Sequence, residues 1–185
     1  MRKNFGSQTW AYPMPVFIIA TYGEDGTPDA MNAAWGGIVE YNEIGLCLSS
    51  THRTTKNILK RKAFTVAFAD AAHVAAADYV GLVSGDDEPE KFKKAGFTAT
   101  KSGFVDAPVI NELPMTLECE LIKITDDGLV VGKIVNVSAD ESVLGGSGKI
   151  DPSKFRPVTF DAVNNRYIAL GEVVGNAFKD GAALK

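Results

Sequence analysis

Two stretches of this chain carry residue types suited to chemistry. The first is Ser49-Ser50-Thr51-His52-Arg53-Thr54-Thr55-Lys56, which follows the apolar run Ile44-Gly45-Leu46-Cys47-Leu48 and leads into Asn57-Ile58-Leu59. The pattern predicts a buried strand that ends in hydroxyls and cations where a helix begins. A helix N-terminus offers an anion free N–H groups and the positive end of the helix dipole. Hydroxyls add donors, and Arg and Lys add charge. That is chemistry for a phosphate. The second stretch is Met31-Asn32-Ala33-Ala34-Trp35-Gly36-Gly37. Its small residues let a flat ligand lie against the backbone. Main-chain groups and the Asn32 amide can bond a heteroaromatic edge. A planar head and a phosphate tail together describe a flavin mononucleotide, FMN.

Other motifs fail on inspection. Gly145-Gly146-Ser147-Gly148-Lys149 lacks the first glycine of a phosphate-binding P-loop, and Ile150 stands where Ser or Thr is required. It reads as a surface loop. No GxGxxG opens a helix after a strand, so no Rossmann site is indicated. His52 and His73 are the only histidines, and no cysteine or carboxylate cluster joins them, so no metal is expected. Asp86-Asp87 and Asp126-Asp127 read as solvated turn residues. No catalytic side chain is assigned.

The elements that must position the two stretches are mostly short strands. Strands are predicted over Val16 to Thr21, Ile44 to Ser49 and Phe64 to Ala69. Hairpins are predicted across Asp126-Asp127-Gly128 and Asn164-Asn165. Thr54 or Thr55 can cap a helix running to about Lys62. Asp70 can cap an alanine-rich helix reaching about Val83, and Glu88 to Ala95 reads as a short third helix. Residues 171–185 lack helical periodicity. Many strands, few helices and hairpin turns favour a mainly β antiparallel barrel. With 185 residues and no repeat or linker, residues 1–185 form one domain.

The composition, 45% hydrophobic and 23% charged, is that of an ordinary globular chain. A net charge of −4 excludes general affinity for nucleic acid. Lys60 to Lys62 reads as a solvated helix face. Cys47 and Cys119 read as two buried free thiols in a reducing compartment. No apolar stretch reaches the ~20 residues of a membrane span. Met1 to Phe5 is basic, but no signal-peptide core follows, so the cytoplasm is the expected location.

The ordered series of motifs resembles the flavin reductase-like, FMN-binding split-barrel family, with the flavoredoxin branch closest. The resemblance rests on Met31 to Gly37 and on Ser50 to Ile58. It continues through Ser84-Gly85, Lys91-Phe92, Ala95-Gly96-Phe97, Pro108-Val109-Ile110, Leu117-Glu118-Cys119, Gly132 to Val135 and Tyr167 to Glu172. It implies a six-stranded antiparallel split barrel, a homodimer, and FMN bound near the dimer interface. By position, Asn32, Ala33, Ala34 and Trp35 would line the isoalloxazine ring. Ser49, Ser50 and Thr51 would approach the ribityl chain and phosphate, and Arg53, Thr55 and Lys56 would bind the phosphate. Lys91 and Phe92, or the tail near Phe178, would reach the partner's site.

The chain departs from the family at two places. Many members carry Thr or Ser where Asn32 and Ala33 stand. Flavin reductases often carry a histidine where this chain reads Asp126-Asp127-Gly128-Leu129. The resemblance implies electron transfer from NADH or NADPH through flavin to a small-molecule or protein acceptor. The departure at Asp126 to Leu129 leaves open a flavoredoxin-like carrier that does not oxidise NAD(P)H itself.

Overall fold

A computed structural model describes all residues from Met1 to Lys185. Its main sheet holds strands β1 (Phe17–Tyr22), β2 (Pro28–Ala33), β3 (Gly36–Glu40), β4 (Glu43–Cys47), β5 (Ala63–Phe68), β8 (Met115–Ile124) and β9 (Leu129–Ala139). Two short pairs lie outside it: β6 (Ala99–Lys101) with β7 (Pro108–Ile110), and β10 (Val158–Asp161) with β11 (Arg166–Ala169). The helices are α1 (Arg53–Arg61), α2 (Val74–Leu82), α3 (Lys91–Lys94) and α4 (Pro152–Phe155).

The main sheet runs in the order β2-β1-β5-β8-β9-β4-β3, with every neighbouring pair antiparallel. It therefore has seven strands, one more than the family resemblance implied. β2 and β3 are its two edges, yet only Ala34 and Trp35 separate them in sequence. Laid flat, six inter-strand gaps would part the edges by roughly 29 Å. The chain from Ala33 to Gly36 spans at most about 11 Å. The sheet must therefore curl until its edges meet at Ala34–Trp35, and that closure makes the barrel.

Alternation along β1 shows how the barrel is filled. Phe17 and Ile19 point into a core with Ile44, Leu46, Phe64 and Val130. Val16, Ile18 and Ala20 point outward into a second core beneath α2. Because both faces of β1 are buried, its sequence is apolar from Phe17 to Ala20. Ile58 of α1 reaches the inner core. Ala77 and Val80 of α2, with Phe92 and Phe97, close the outer one. The two rings Phe92 and Phe97 meet edge-on at 5.8 Å. Inside the barrel, Gly132 lies under the Phe64 ring; a Cβ there would stand 2.3 Å from Phe64 Cζ.

Several expectations hold with shifted boundaries. α1 starts at Arg53, one residue before Thr54, with His52 in the cap position. Asp70 accepts from the N–H groups of Ala72 and His73 at 2.9 Å, so it caps the turn before α2 rather than α2 itself. Residues 30–40 form the end of β2 and all of β3. Cys119 is buried, and burial pushes its thiol up to about 12. Cys47 corrects the expectation of two buried thiols. At the end of β4 the alternation turns Leu46 inward and Cys47 out to solvent. Arg61 is more than a solvated cation, because it donates to the Gly23 and Glu24 carbonyls and to Asp106 at 3.2 Å.

Candidate functional site

The site forms where β4 runs into α1. Leu48 is buried, and the exposed Ser49, Ser50 and Thr51 follow it. The Ser49 and Thr51 hydroxyls bond each other at 2.8 Å. No side chain caps α1, and no acidic residue stands in its first turn. Lys56 is the first residue of the helix whose N–H finds an acceptor, His52 O at 3.1 Å. The N–H groups of Arg53, Thr54 and Thr55 are left free, beside the guanidinium of Arg53. Free donors, a dipole and a cation at one point make an anion site.

A 290 Å³ pocket opens at this helix start. Met31 and Asn32 of β2 line it, with His52 to Thr54, the end of α2 and the residues after it from Val80 to Gly85, and Lys91. Asn32 and Arg53 are thus brought to one cavity from opposite ends of a 21-residue separation. Asn32 donates from Nδ2 to Ala77 O at 2.9 Å, which holds its amide against α2. Tyr167 donates to Asp78 Oδ1 at 2.7 Å on the same helix, and burial followed by that bond raises its hydroxyl to about 12.

The other proposed residues sit around this pocket rather than in its lining. Ala33 is buried in the barrel core, and Ala34 is half-buried. Trp35 is 56% exposed at the seam of the sheet, with its carbonyl accepting from Cys47 N–H at 2.9 Å. Thr55 is buried with its hydroxyl unpartnered. Lys56 pairs with Asp86 at 3.0 Å at the surface.

Sequence reasoning missed what lies under the pocket. Asp29, 3% exposed, accepts from the Thr54 hydroxyl at 2.6 Å and lies 3.4 Å from Lys91 Nζ. Lys91, also 3% exposed, donates to Val83 O at 3.1 Å. Arg53 donates through Nη1 to Gly85 O. Gly85 fits against both partners: a Cβ there would stand 2.6 Å from Asp29 Oδ1 and 2.9 Å from Arg53 Cδ. Two cations and one buried carboxylate leave the floor with excess positive charge, which favours an anion. The sequence signals were Ser84-Gly85 and Lys91-Phe92, both as motifs of the family resemblance. Asp29, in a polar turn-like context, gave none.

The donors present fit a phosphate-bearing flavin. The free N–H groups at the start of α1 and two cations suit a phosphate, and Asn32 adds an amide for a ring edge. No cluster of three or more His, Cys, Asp or Glu side chains is placed to hold a metal ion. No helix is long and apolar enough to cross a membrane.

Comparison with known proteins bears on the fold and the family. The chain is 39% identical to the flavoredoxin of Desulfovibrio vulgaris (Miyazaki F), with a TM-score of 0.94 over 98% of this chain and 100% of that one. It is 26% identical to the flavoredoxin of Methanosarcina acetivorans, with a TM-score of 0.89 over 100% of both chains. An FMN-binding domain of a flavin reductases-like enzyme from Shewanella baltica OS155 shares the fold at 20% identity, with a TM-score of 0.76 over 88% of this chain and 89% of that one. The family model described as flavin reductase like domain matches residues 9–159. This chain belongs to the flavin reductase-like family, with the split-barrel fold of the flavoredoxins.

Proposed function

We infer that this protein binds FMN and moves electrons from NADH or NADPH through the flavin to an acceptor. The observation that carries the reading is the uncapped start of α1, which shares one pocket with Asn32, Arg53 and Lys91. When bound, the flavin would supply the redox chemistry. The chain's own residues bind and orient. Arg53 and the free N–H groups of α1 hold the phosphate, with Ser49, Ser50 and Thr51 beside it. Asn32 addresses the ring edge, while Ala33, Ala34 and Trp35 form its border. Thr55 supplies its buried hydroxyl, and Lys56 adds charge once it leaves Asp86.

A pocket of 290 Å³ falls just under the about 300–1,000 Å³ usual for small-molecule sites, so FMN would extend beyond it. A second copy of the chain completes the site in this reading. The sheet edge β3 supports that, because it exposes Ile38 and Val39, with Trp35 and Tyr41 exposed on either side of it. The free cysteines suit a reducing cytoplasm.

A second reading is an FMN-bearing electron carrier that does not oxidise NAD(P)H itself. It is favoured by the 39% identity to a flavoredoxin and by the exposed Asp126-Asp127 turn. Anaerobic mixing of FMN-loaded protein with NADH, then NADPH, separates the two. Prompt bleaching of flavin absorbance supports the first reading, and an unchanged spectrum removes it.

A further inference from the structure

Residues 171–185 form hydrogen bonds only with one another, and every one of them is exposed. Their composition is not that of a disordered tail. Glu172 and Asp180 balance Lys179 and Lys185, and Val173, Val174, Phe178 and Leu184 are apolar. Val174 and Phe178 are fully exposed. A turn presents Phe178: Asp180 accepts from the Asn176 N–H at 2.7 Å and from Asn176 Nδ2 at 3.3 Å. Phe178 itself lies at φ 62°, which a bulky residue rarely adopts. The N-terminal segment is different, because its aromatic residues have partners. Phe5 and Trp10 meet edge-on at 5.5 Å, and Tyr12 donates to Asp161.

A groove of 490 Å³ stands open where this arm leaves the fold, with Leu170 in its lining. Phe68, Met115, Ile150, Phe155 and Val158 line it too. Its only polar side chain is Thr159, whose hydroxyl accepts from the Met14 N–H at 2.9 Å and donates to Met14 O at 2.8 Å. A small-molecule site keeps a few polar groups to orient its ligand. This groove has no polar side chain to spare, so it suits apolar side chains. No charged residue lines it, which matches the balanced charge of the arm. Strand register sets its place. Phe17 pairs with both Phe68 and Ala33, so the groove lies at the barrel end that carries the β2–β3 seam and leads to the exposed β3 edge.

We propose that residues 171–185 of one copy dock in the apolar groove of a second copy, and that the exchange is mutual. Within one chain the arm turns away from its own groove and leaves both apolar surfaces in water. A two-fold axis gives each copy an arm and a groove, so one symmetric pairing covers both arms and both grooves. From Leu170 to Phe178 the chain spans at most about 28 Å, enough to cross a subunit boundary. The inference rests on the reading that the chain pairs with a second copy.

Two full-length variants test this. One changes the arm, Val174→Ser with Phe178→Ser. The other changes the groove, Ile150→Glu. Leu170→Glu, at a groove residue 49% exposed, repeats the groove change without burying a charge in the single chain. Circular dichroism checks that each variant is folded, and sedimentation measures the dimer Kd. Each variant alone is expected to raise that Kd by about tenfold or more. The two variants are then mixed. The arm variant keeps its groove and the groove variant keeps its arm, so a mixed dimer holds one intact contact where neither parent dimer holds any. Recovery of dimer in the mixture is the expected result. Weakening in each variant with no recovery on mixing overturns the exchange and leaves the arm in its own chain's groove. A wild-type Kd in both folded variants leaves the groove to another occupant and overturns the docking. A wild type that stays monomeric overturns the pairing itself, and this inference with it.

Discussion

Lys91 Nζ lies 3.4 Å from Asp29 Oδ1, and both side chains are only 4% exposed. A charge pair this deep survives because each member has a further partner, Val83 O for Lys91 and the Thr54 hydroxyl for Asp29. The pair ties β2, α1 and the segment after α2 into one floor beneath the pocket. Breaking a buried pair from one side leaves the other charge unpaired, which typically costs about 3–5 kcal/mol. Asp29→Asn is therefore expected to lower stability by about that amount in urea unfolding. A loss below about 1 kcal/mol would show that the pair is solvated.

Arg53 stands at the start of α1 with its guanidinium already on Gly85 O. Arg53→Ala combined with Lys56→Ala is expected to weaken FMN binding by about 1.5–3 kcal/mol per charged hydrogen bond lost. Fluorescence titration measures it. Intact affinity in the double variant would remove both residues from the phosphate site.

Gly85 is fitted between Asp29 and Arg53. Gly85→Ala places a Cβ 2.6 Å from Asp29 Oδ1, so the floor must shift. Overpacking of this kind costs about 1–3 kcal/mol. The expected outcome is a lower unfolding midpoint together with weaker flavin binding.

Tyr167 ties β11 to α2 through Asp78, and its hydroxyl is raised to about 12 by burial and then by that bond. An unfolded tyrosine ionises near 10. Above pH ~10 the unfolded chain releases this proton while the folded chain keeps it, so stability falls as pH rises from about 10 to 12. Tyr167→Phe is expected to reduce that slope, and to lower stability at neutral pH through the lost bond. Thermal midpoints across this window check both effects.

The β3 edge bears on assembly. Ile38 is 64% exposed and Val39 52%, on a strand with an unpaired side. Light scattering is expected to give about twice the 19.7 kDa chain mass. Val39→Glu is expected to shift it towards the monomer. A wild-type mass of one chain at micromolar concentration would contradict the dimer.

Much of the fold was legible because its strands carry local signals. Gly128, at φ 89°, sits in the β8–β9 turn where Asp126-Asp127-Gly128 predicted one. Asn165, at φ 52°, does the same for β10–β11. The short β6 and the start of β3 were not legible. Ala99 to Lys101 is three exposed residues, and Gly36-Gly37 has no side-chain pattern to read. The site was legible where one stretch held it, as in Ser49 to Lys56. Asp29 and Gly85 belong to it only because the barrel brings β2 against the end of α2, and no local spacing records that approach.

Whether this pocket holds FMN is tested most directly by titration of the purified protein with FMN, following flavin fluorescence and the thermal midpoint together. Saturable quenching is expected, with a midpoint that rises with FMN concentration, since a ligand bound only by the folded state stabilises it by mass action. Unquenched fluorescence with an unmoved midpoint at millimolar FMN would contradict FMN binding.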